Sequence, residues 1–196
     1  MRVLPVVLLV LLVAAGLGLQ QHLTRQIDLE GPHVLAAASD GGFYLATGTR
    51  LYRLDERERV EAHYEAAQLG VGRFDSLLAG TQGRLWVYDS EARRVLVCDL
   101  PVPCTPFDAG QTAFSANAIL AERPAGQGLL LSDNRHHRLQ ALDAQGQVQS
   151  HPLQTGWRFP NQISAWQGDW LLADTDRRQL IKVVADVQGR PVRREL

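Results

Sequence analysis

Four segments of the chain share one spacing of polar and hydrophobic positions. Each has a polar residue or histidine first, leucine or isoleucine third and alanine fifth. The segments are residues 33–37, 75–79, 117–121 and 161–165. Because side chains alternate between the two faces of a strand, the three recurring positions of each segment share one face. The pattern predicts four equivalent β-strands.

Three further short strands follow each of these segments. A glycine-containing turn precedes a hydrophobic strand, and a polar turn precedes two more strands, of which the weak last one falls near 59–63, 105–108, 147–151 and 191–196. Four antiparallel strands in about 42 residues form the blade of a β-propeller, and an apolar period of two excludes a helical solenoid. We expect an all-β fold of about four blades, forming a closed small ring or an open arc of a larger propeller. Their predicted bounds are 33–64, 75–108, 117–152 and 161–196.

Two recurrent residues carry structural expectations. Alanine at the fifth position suits the axis of a propeller, where blades converge and leave little space. Aspartate begins the turn after the second strand in three repeats, as Asp89, Asp133 and Asp174. We expect these carboxylates to accept hydrogen bonds from amides of their own turns.

The third and fourth repeats resemble the NHL-repeat family. In residues 129–143 a strand is followed by Asp133, a polar turn, a hydrophobic strand and Asp143, and residues 171–181 begin the same order. The fourth repeat also has Pro160 ahead of its inner strand, where the family has proline. The likeness covers residues 33–196 and is weaker in the first two repeats. It implies a propeller and does not name a function.

The N-terminal residues form a separate apolar segment. Residues 3–19 carry no charge and lie between Arg2 and Arg25. As a helix they would rise about 25 Å, near the minimum for crossing a bilayer. The positive charge ahead of them predicts a cytoplasmic N-terminus and an extracytoplasmic domain. The segment is either an uncleaved signal anchor, which its continuation to Leu19 favours, or a cleaved signal peptide.

These observations divide the chain into a signal anchor or signal peptide at 1–22, a linker with a candidate closing strand at 23–32, and the propeller at 33–196. The expected location is a bacterial-type inner membrane, crossed once by residues 3–19, with the C-terminal domain on the periplasmic side, or secretion after cleavage. The cysteines agree with export. Cys98 and Cys104 are the only two, and an oxidising compartment favours a disulfide over two free buried thiols.

Charge and motifs limit the classes of partner and reaction. The formal net charge is −1 and no long basic run is present, so a nucleic-acid partner held through phosphate contacts is not expected. The sequence contains no P-loop, dinucleotide fingerprint, GxSxG or HExxH motif. The familiar signatures of nucleotide and hydrolase chemistry therefore give no support for an enzyme.

The first residues of the four inner strands are the candidate ligand-binding set, because they would lie around one mouth of a central channel. They are His33, Asp75, Asn117 and Asn161. Residues 73–75, Arg-Phe-Asp, and residues 161–163, Asn-Gln-Ile, resemble motifs of the gluconolactonase and senescence-marker propellers, although aspartate replaces an asparagine in the first and glutamine replaces a glycine in the second. Those propellers hold a divalent metal at this mouth. That resemblance implies Asp75, Asn117 and Asn161 as candidate metal ligands. The family's glutamate ligand and catalytic aspartate have no clear counterpart here, so we assign no catalytic residue.

The sequence favours a non-catalytic role. We expect a membrane-tethered, extracytoplasmic NHL-like propeller that serves as a protein- or ligand-binding and assembly module, and no cofactor is predicted. The alternative is a divalent-metal-dependent lactonase or esterase of the gluconolactonase type. NHL-like propellers close with about six blades, so an open arc of four would leave two apolar faces for a protein partner or a second copy.

Overall fold

A computed structural model describes residues 33–107, 118–123, 128–149, 153, 155–187 and 190–194. Their regular elements are β-strands and short 3-10 turns, and the strands form four separate four-stranded antiparallel sheets. The prediction of an all-β fold with four-stranded blades is confirmed. The predicted N-terminal helix, linker and closing strand lie outside the described residues. No described residue belongs to an apolar helix of membrane-spanning length.

Strand order within each sheet follows the chain, so each sheet is one blade with its first strand innermost. The first blade contains β1 (His33–Ala37), β2 (Phe43–Thr47), β3 (Arg50–Leu54) and β4 (Val60–Glu65). The second contains β5 (Ser76–Ala79), β6 (Leu85–Asp89), β7 (Arg94–Cys98) and β8 (Thr105–Pro106). The third contains β9 (Ile119–Glu122), β10 (Leu129–Asp133), β11 (Arg138–Leu142) and β12 (Val148–Gln149). The fourth contains β13 (Pro160–Trp166), β14 (Asp169–Asp174), β15 (Gln179–Ala185) and β16 (Pro191–Arg194).

Glycine makes the tight connection ahead of the second strand. In the first blade Gly41 has a φ of 89°, and a Cβ on Gly42 would collide with the carbonyl oxygen of Leu54. In the third blade Gly128 has a φ of 110°, and a Cβ there would collide with the carbonyl oxygen of Leu142. Left-handed backbone and close backbone approach both require glycine, so the predicted hairpins form at these residues.

Consecutive blades stack face to face and bury hydrophobic cores between them. Each blade has a rear face toward the preceding blade and a front face toward the following one, because alternate residues point to opposite sides of a sheet. The inner strands β1, β5, β9 and β13 lie side by side in that order. Three clusters of buried residues fill the three spaces between the four blades.

The two outermost faces lack a neighbouring blade among the described residues. The first and last inner strands, β1 and β13, do not lie side by side, unlike each pair of consecutive inner strands. Leu35 on the rear face of the first blade is 64% exposed, and Leu180 on the front face of the fourth is 57% exposed. Tyr52 and Leu54, on the outer strands of the first blade's rear face, are buried. An exposed leucine is thus present at each end of the row of blades.

The register of the third inner strand corrects our alignment of the repeats. Strand pairing gives Leu120 the place that Leu77 and Ile163 have in the neighbouring blades. The alignment that equated Ile119 with those residues was wrong by one position. Glu122 therefore stands where the other blades have alanine, and the first position of the strand falls on residue 118 rather than 117.

The expectation that crowding fixes alanine at the axis is also wrong. Ala37 and Ala165, the alanines of the first and fourth inner strands, are exposed, and Ala79 is half-buried. Ala121 is 2% exposed, but it lies on the front face of its blade, in the core shared with the fourth blade. Packing between the third and fourth blades, rather than crowding near the axis, therefore limits the size of the side chain at Ala121.

The turn aspartates bind more widely than predicted. The buried Asp89 carboxylate accepts hydrogen bonds from the amides of Glu91 and Ala92 in its own turn, and from the amides of Gly72 and Arg73 ahead of β5. The Asp174 carboxylate instead accepts from two amides that precede β13, those of Arg158 and Phe159. The Asp133 carboxylate contacts the side chains of His136 and Arg138. Asp89 and Asp174 therefore fix how the chain enters an inner strand.

Candidate functional site

The four inner strands line an open cavity of about 620 Å³. Its lining comes from the neighbourhood of β1, β5, β9 and β13, at residues 34–39, 75–81, 119–122 and 162–165. All four blades contribute because their innermost strands lie side by side. The cavity therefore occupies the position of a propeller's central channel, where the sequence placed its candidate site.

The cavity is lined by apolar side chains, hydroxyl groups, the Gln162 amide and two carboxylates. The hydroxyl groups belong to Ser39, Ser76, Thr81 and Ser164, and the carboxylates to Asp75 and Glu122. No lysine, arginine or histidine is among the described lining residues. Such a surface can accept and donate hydrogen bonds and carries negative charge, so its chemistry suits a neutral polar or cationic ligand.

Glu122 is the carboxylate that the sequence analysis missed. Its Oε2 accepts a hydrogen bond from the Thr81 amide at 2.7 Å, and its Oε1 accepts one from the Thr81 hydroxyl at 3.2 Å. The indole nitrogen of Trp170 donates to its backbone oxygen at 2.9 Å. Glu122 therefore ties the third blade to both neighbours. Strand pairing reveals that a glutamate replaces alanine here, and the sequence hides it because the connection after this strand is one residue longer than in the second blade.

Asp75 lines the cavity, but its carboxylate is already engaged. Its Oδ2 accepts a hydrogen bond from the Ser90 amide at 2.9 Å, and its Oδ1 lies 3.0 Å from the Arg73 guanidinium nitrogen Nε. The side chain is only 9% exposed. These contacts hold the start of β5 against the turn that follows β6, which is a structural role.

The other three candidates do not join Asp75 in a described ligand set. His33 begins β1, and Asn117 lies outside the described residues. Asn161 is exposed on β13, at an irregularity in the pairing with β14 between Pro160 and Gln162. Within the described ranges, no group of three or more His, Cys, Asp and Glu side chains could hold a metal ion.

The donors that the structure describes therefore do not fit the divalent metal of gluconolactonase-type propellers. A hard cation needs several converging oxygen ligands. Three residues were candidates for this role. The Asp75 carboxylate is already bound by the Arg73 guanidinium and the Ser90 amide, and Asn161 is the only other candidate that the structure describes. We derive no reaction step through a metal from this arrangement.

The cysteines form a disulfide away from this site. Cys98 ends β7 and is buried, and it is bonded to Cys104 with the two Cα atoms 4.2 Å apart. The Cys104 amide also donates to the carbonyl oxygen of Leu69 at 2.9 Å. Neither cysteine lines the cavity, so the bridge secures the outer part of the second blade.

Solved structures share this arrangement of strands. Streptogramin B lyase has a TM-score of 0.63 and 14% identity, over 85% of this chain and 55% of that chain. A gluconolactonase-like protein has a TM-score of 0.62 and 12% identity, over 82% and 61%. The β-propeller domain of Swd1 from Myceliophteria thermophila has a TM-score of 0.55 and 9% identity, over 83% and 57%. No family model and no curated protein sequence matches the chain.

These likenesses concern the fold. The chain spans 55% to 61% of the length of the three structures, at identities of 9% to 14%, and such similarity does not carry an activity from one protein to another. The shared fold agrees with the observed architecture, which has four stacked four-stranded blades, inner strands side by side and a central cavity. The chain has the β-propeller fold and is related in fold to gluconolactonase-type propellers.

Proposed function

We propose that the chain is a membrane-tethered, extracytoplasmic binding module whose ligand occupies the cavity between the inner strands. The observation that carries this proposal is the cavity itself, to which all four blades contribute. Its volume of about 620 Å³ lies within the range of small-molecule sites. Residues 3–19 supply the tether, and Arg2 ahead of them directs the propeller to the periplasmic side.

The lining supports a ligand that is neutral and polar or positively charged. Asp75 and Glu122 are its only charged groups among the described residues. Asp75 is neutralised by Arg73, whereas the Glu122 carboxylate is bound by an uncharged residue. Glu122 is therefore the group that would discriminate a cation from a neutral compound.

Ligand-observed NMR with a panel of sugars, amino-acid amides and polyamines tests this function. Ala165→Trp should abolish binding, because the exposed Ala165 side chain lines the cavity and an indole would fill it. Thr155→Trp is the matched control, since Thr155 is exposed and lies outside the lining. Glu122→Gln should weaken cationic ligands roughly tenfold and leave neutral ones unchanged. Binding that survives Ala165→Trp would place the ligand elsewhere.

Location is tested separately by fractionation. We expect the chain in the inner-membrane fraction, with its C-terminal domain cleaved by protease added to spheroplasts, or in the periplasm or medium if residues 1–22 are removed. Recovery of the intact chain in the soluble cytoplasmic fraction would contradict the proposed topology.

Divalent-metal-dependent hydrolysis of a lactone or ester is the second candidate function. It is favoured only by the position of Asp75 on the cavity wall and by the resemblance of the fold. Metal analysis of the purified protein and of the Asp75→Ala, Asn161→Ala double variant decides it. Stoichiometric metal that the double variant loses would support hydrolysis, and equal, negligible metal in both proteins would remove it.

A further inference from the structure

We propose that two copies of this chain join head to tail, each placing the front face of its fourth blade on the rear face of the partner's first blade. Two such contacts related by a two-fold axis close a ring of eight blades. Propellers of four to eight blades are the usual range, and heterologous contacts whose rotation closes give rings. The inference is independent of what the cavity binds.

The three contacts within the chain share one pair of apolar positions. In each, a third-strand residue on the front face of one blade lies in the same core cluster as an inner-strand residue on the rear face of the next. The pairs are Leu51 with Leu77, Val95 with Leu120, and Leu139 with Ile163. The front-face members are 0% exposed and the rear-face members are at most 9% exposed.

The fourth pair is present in the sequence but divided between the two ends of the chain. Leu180 has the front-face position in the fourth blade, since its partner Ala173 corresponds in the pairing to Ala46 of the first blade, opposite Leu51. Leu35 has the rear-face position in the first blade. Both are hydrophobic like their buried equivalents, yet they are 57% and 64% exposed. Covering them with each other repeats an arrangement that occurs three times within this chain, where both positions lie in one core cluster.

The fourth blade's front face is apolar around Leu180. Leu171, Ala173, Val184 and Val192 are half-buried there, and Trp166 is 41% exposed. The one lysine on this face, Lys182, pairs with Asp169 at 2.8 Å and lies over the Trp166 ring at 5.1 Å. The lysine is therefore already partnered, which leaves an apolar sheet surface of the kind that marks an interaction site.

The contact on the first blade is confined to its inner half. Phe43 and Leu45 are half-buried next to the exposed Leu35, whereas Tyr52 and Leu54 are already buried. The available apolar surface thus adjoins the cavity. A partner blade placed on it would bring its own Gln162 and Ser164, which line the cavity in each copy, up to β1, and the ring would enclose one site built from both copies.

Charge favours the head-to-tail contact over contact between two fourth blades. Residues 33–65 contain six acidic and four basic residues, and residues 160–194 contain four acidic and six basic residues. Head-to-tail association brings together blades of opposite net charge, whereas contact between two fourth blades opposes like charges. Complementary potentials of this kind set the orientation of partners and weaken with salt.

The mass of the full chain in detergent, measured by light scattering with correction for bound detergent, tests the pairing. We expect two chains of 21.7 kDa in the particle at low salt. Leu180→Glu should reduce it to one chain with unchanged circular dichroism, because the side chain is exposed in the single chain. Val187→Glu is the matched control, since Val187 lies on the same blade and is 96% exposed, and it should leave the pair intact. A single-chain wild type, or a pair that Leu180→Glu does not separate, would overturn the proposal.

Cross-linking decides the orientation. Affinity-tagged copies with Leu35→Cys are mixed with untagged copies carrying Leu180→Cys, exchanged at high salt, returned to low salt and treated with a short bismaleimide. The native cysteines are bonded to each other and do not react. We expect cross-links between a tagged and an untagged copy. Cross-links only between two Leu180→Cys copies, or none, would refute the head-to-tail ring.

Discussion

Single side chains set local charge states in the first blade, as the pair of Asp40 and Arg53 shows. The Arg53 guanidinium and the Gly42 amide, in that order, donate to the Asp40 carboxylate and hold its pKa below the usual value of 3.8. Because the folded pKa is lowered, the pair stabilises the fold above pH 3.8, and this contribution is lost as the pH falls through the folded pKa. The Asp40 side chain is exposed to solvent, so the contribution is small.

Carboxyl NMR titration of Asp40 should therefore give a pKa below 3.8 in the wild type. Arg53→Met should raise that pKa toward 3.8, since the largest cause of the shift is removed. Asp55 is the internal control, because the amide and guanidinium of Arg59 lower its pKa independently of Arg53. A shift of both carboxyl groups in the variant would point to a general disturbance of the blade rather than loss of one pair.

Asp89 is a buried turn residue whose replacement should lower the free energy of unfolding substantially. Its buried carboxylate accepts hydrogen bonds from four amides, and one such bond contributes about 0.5–1.5 kcal/mol. Asp89→Ala should lower the free energy of unfolding by about 2–4 kcal/mol in urea melts. Asp143→Ala, which removes a carboxylate bound to two amides of an exposed turn, should cost less than about 1 kcal/mol. Equal losses would show that the Asp89 bonds are not the main source of stability.

At the scale of the strand, the register found for β9 makes a testable distinction between inner-strand alanines. Ala121 is buried between the third and fourth blades, so Ala121→Leu should overpack that core and destabilise the domain by about 1–3 kcal/mol. Ala165→Leu should change the free energy of unfolding by less than about 0.5 kcal/mol, because Ala165 is exposed. Denaturant melts compare the two. If Ala165→Leu lowered the free energy of unfolding as much as Ala121→Leu, the explanation that crowding at the axis requires alanine would be supported after all.

The strands show which parts of the fold a sequence can predict. The hairpins and blade order followed from glycine turns and from a period of two, since both act within a few residues. The register of β9 did not, because residues 118–121 are all apolar and both faces of this inner strand contact neighbouring blades. A strand without alternation fits either register, and a slip of one residue exchanges its faces. Glu122 was missed for the same reason, and Asp75 was placed on the cavity but not recognised as engaged by Arg73.

At the scale of the whole molecule, a local pattern could not resolve whether the row of blades closes, and among the described residues its two end faces have no neighbouring blade. Whether four blades close depends on the angle between blades, which results from packing over three interfaces rather than from any segment. Leu35 and Leu180, at the two ends of the described row, are exposed, as expected if the described blades do not close into a ring.

The disulfide and the export of the whole chain can be tested together. Cys98 and Cys104 are bonded across a six-residue separation, and closing so short a loop stabilises by roughly 2–3 kcal/mol on the chain-entropy model. Such a bond persists only in an oxidising compartment. Protein taken from its native compartment, denatured and alkylated without reductant, should therefore carry no label at either cysteine by mass spectrometry. Reduction before alkylation is the control and should add two labels. Two labels without reduction would contradict the disulfide and would also weigh against a periplasmic location.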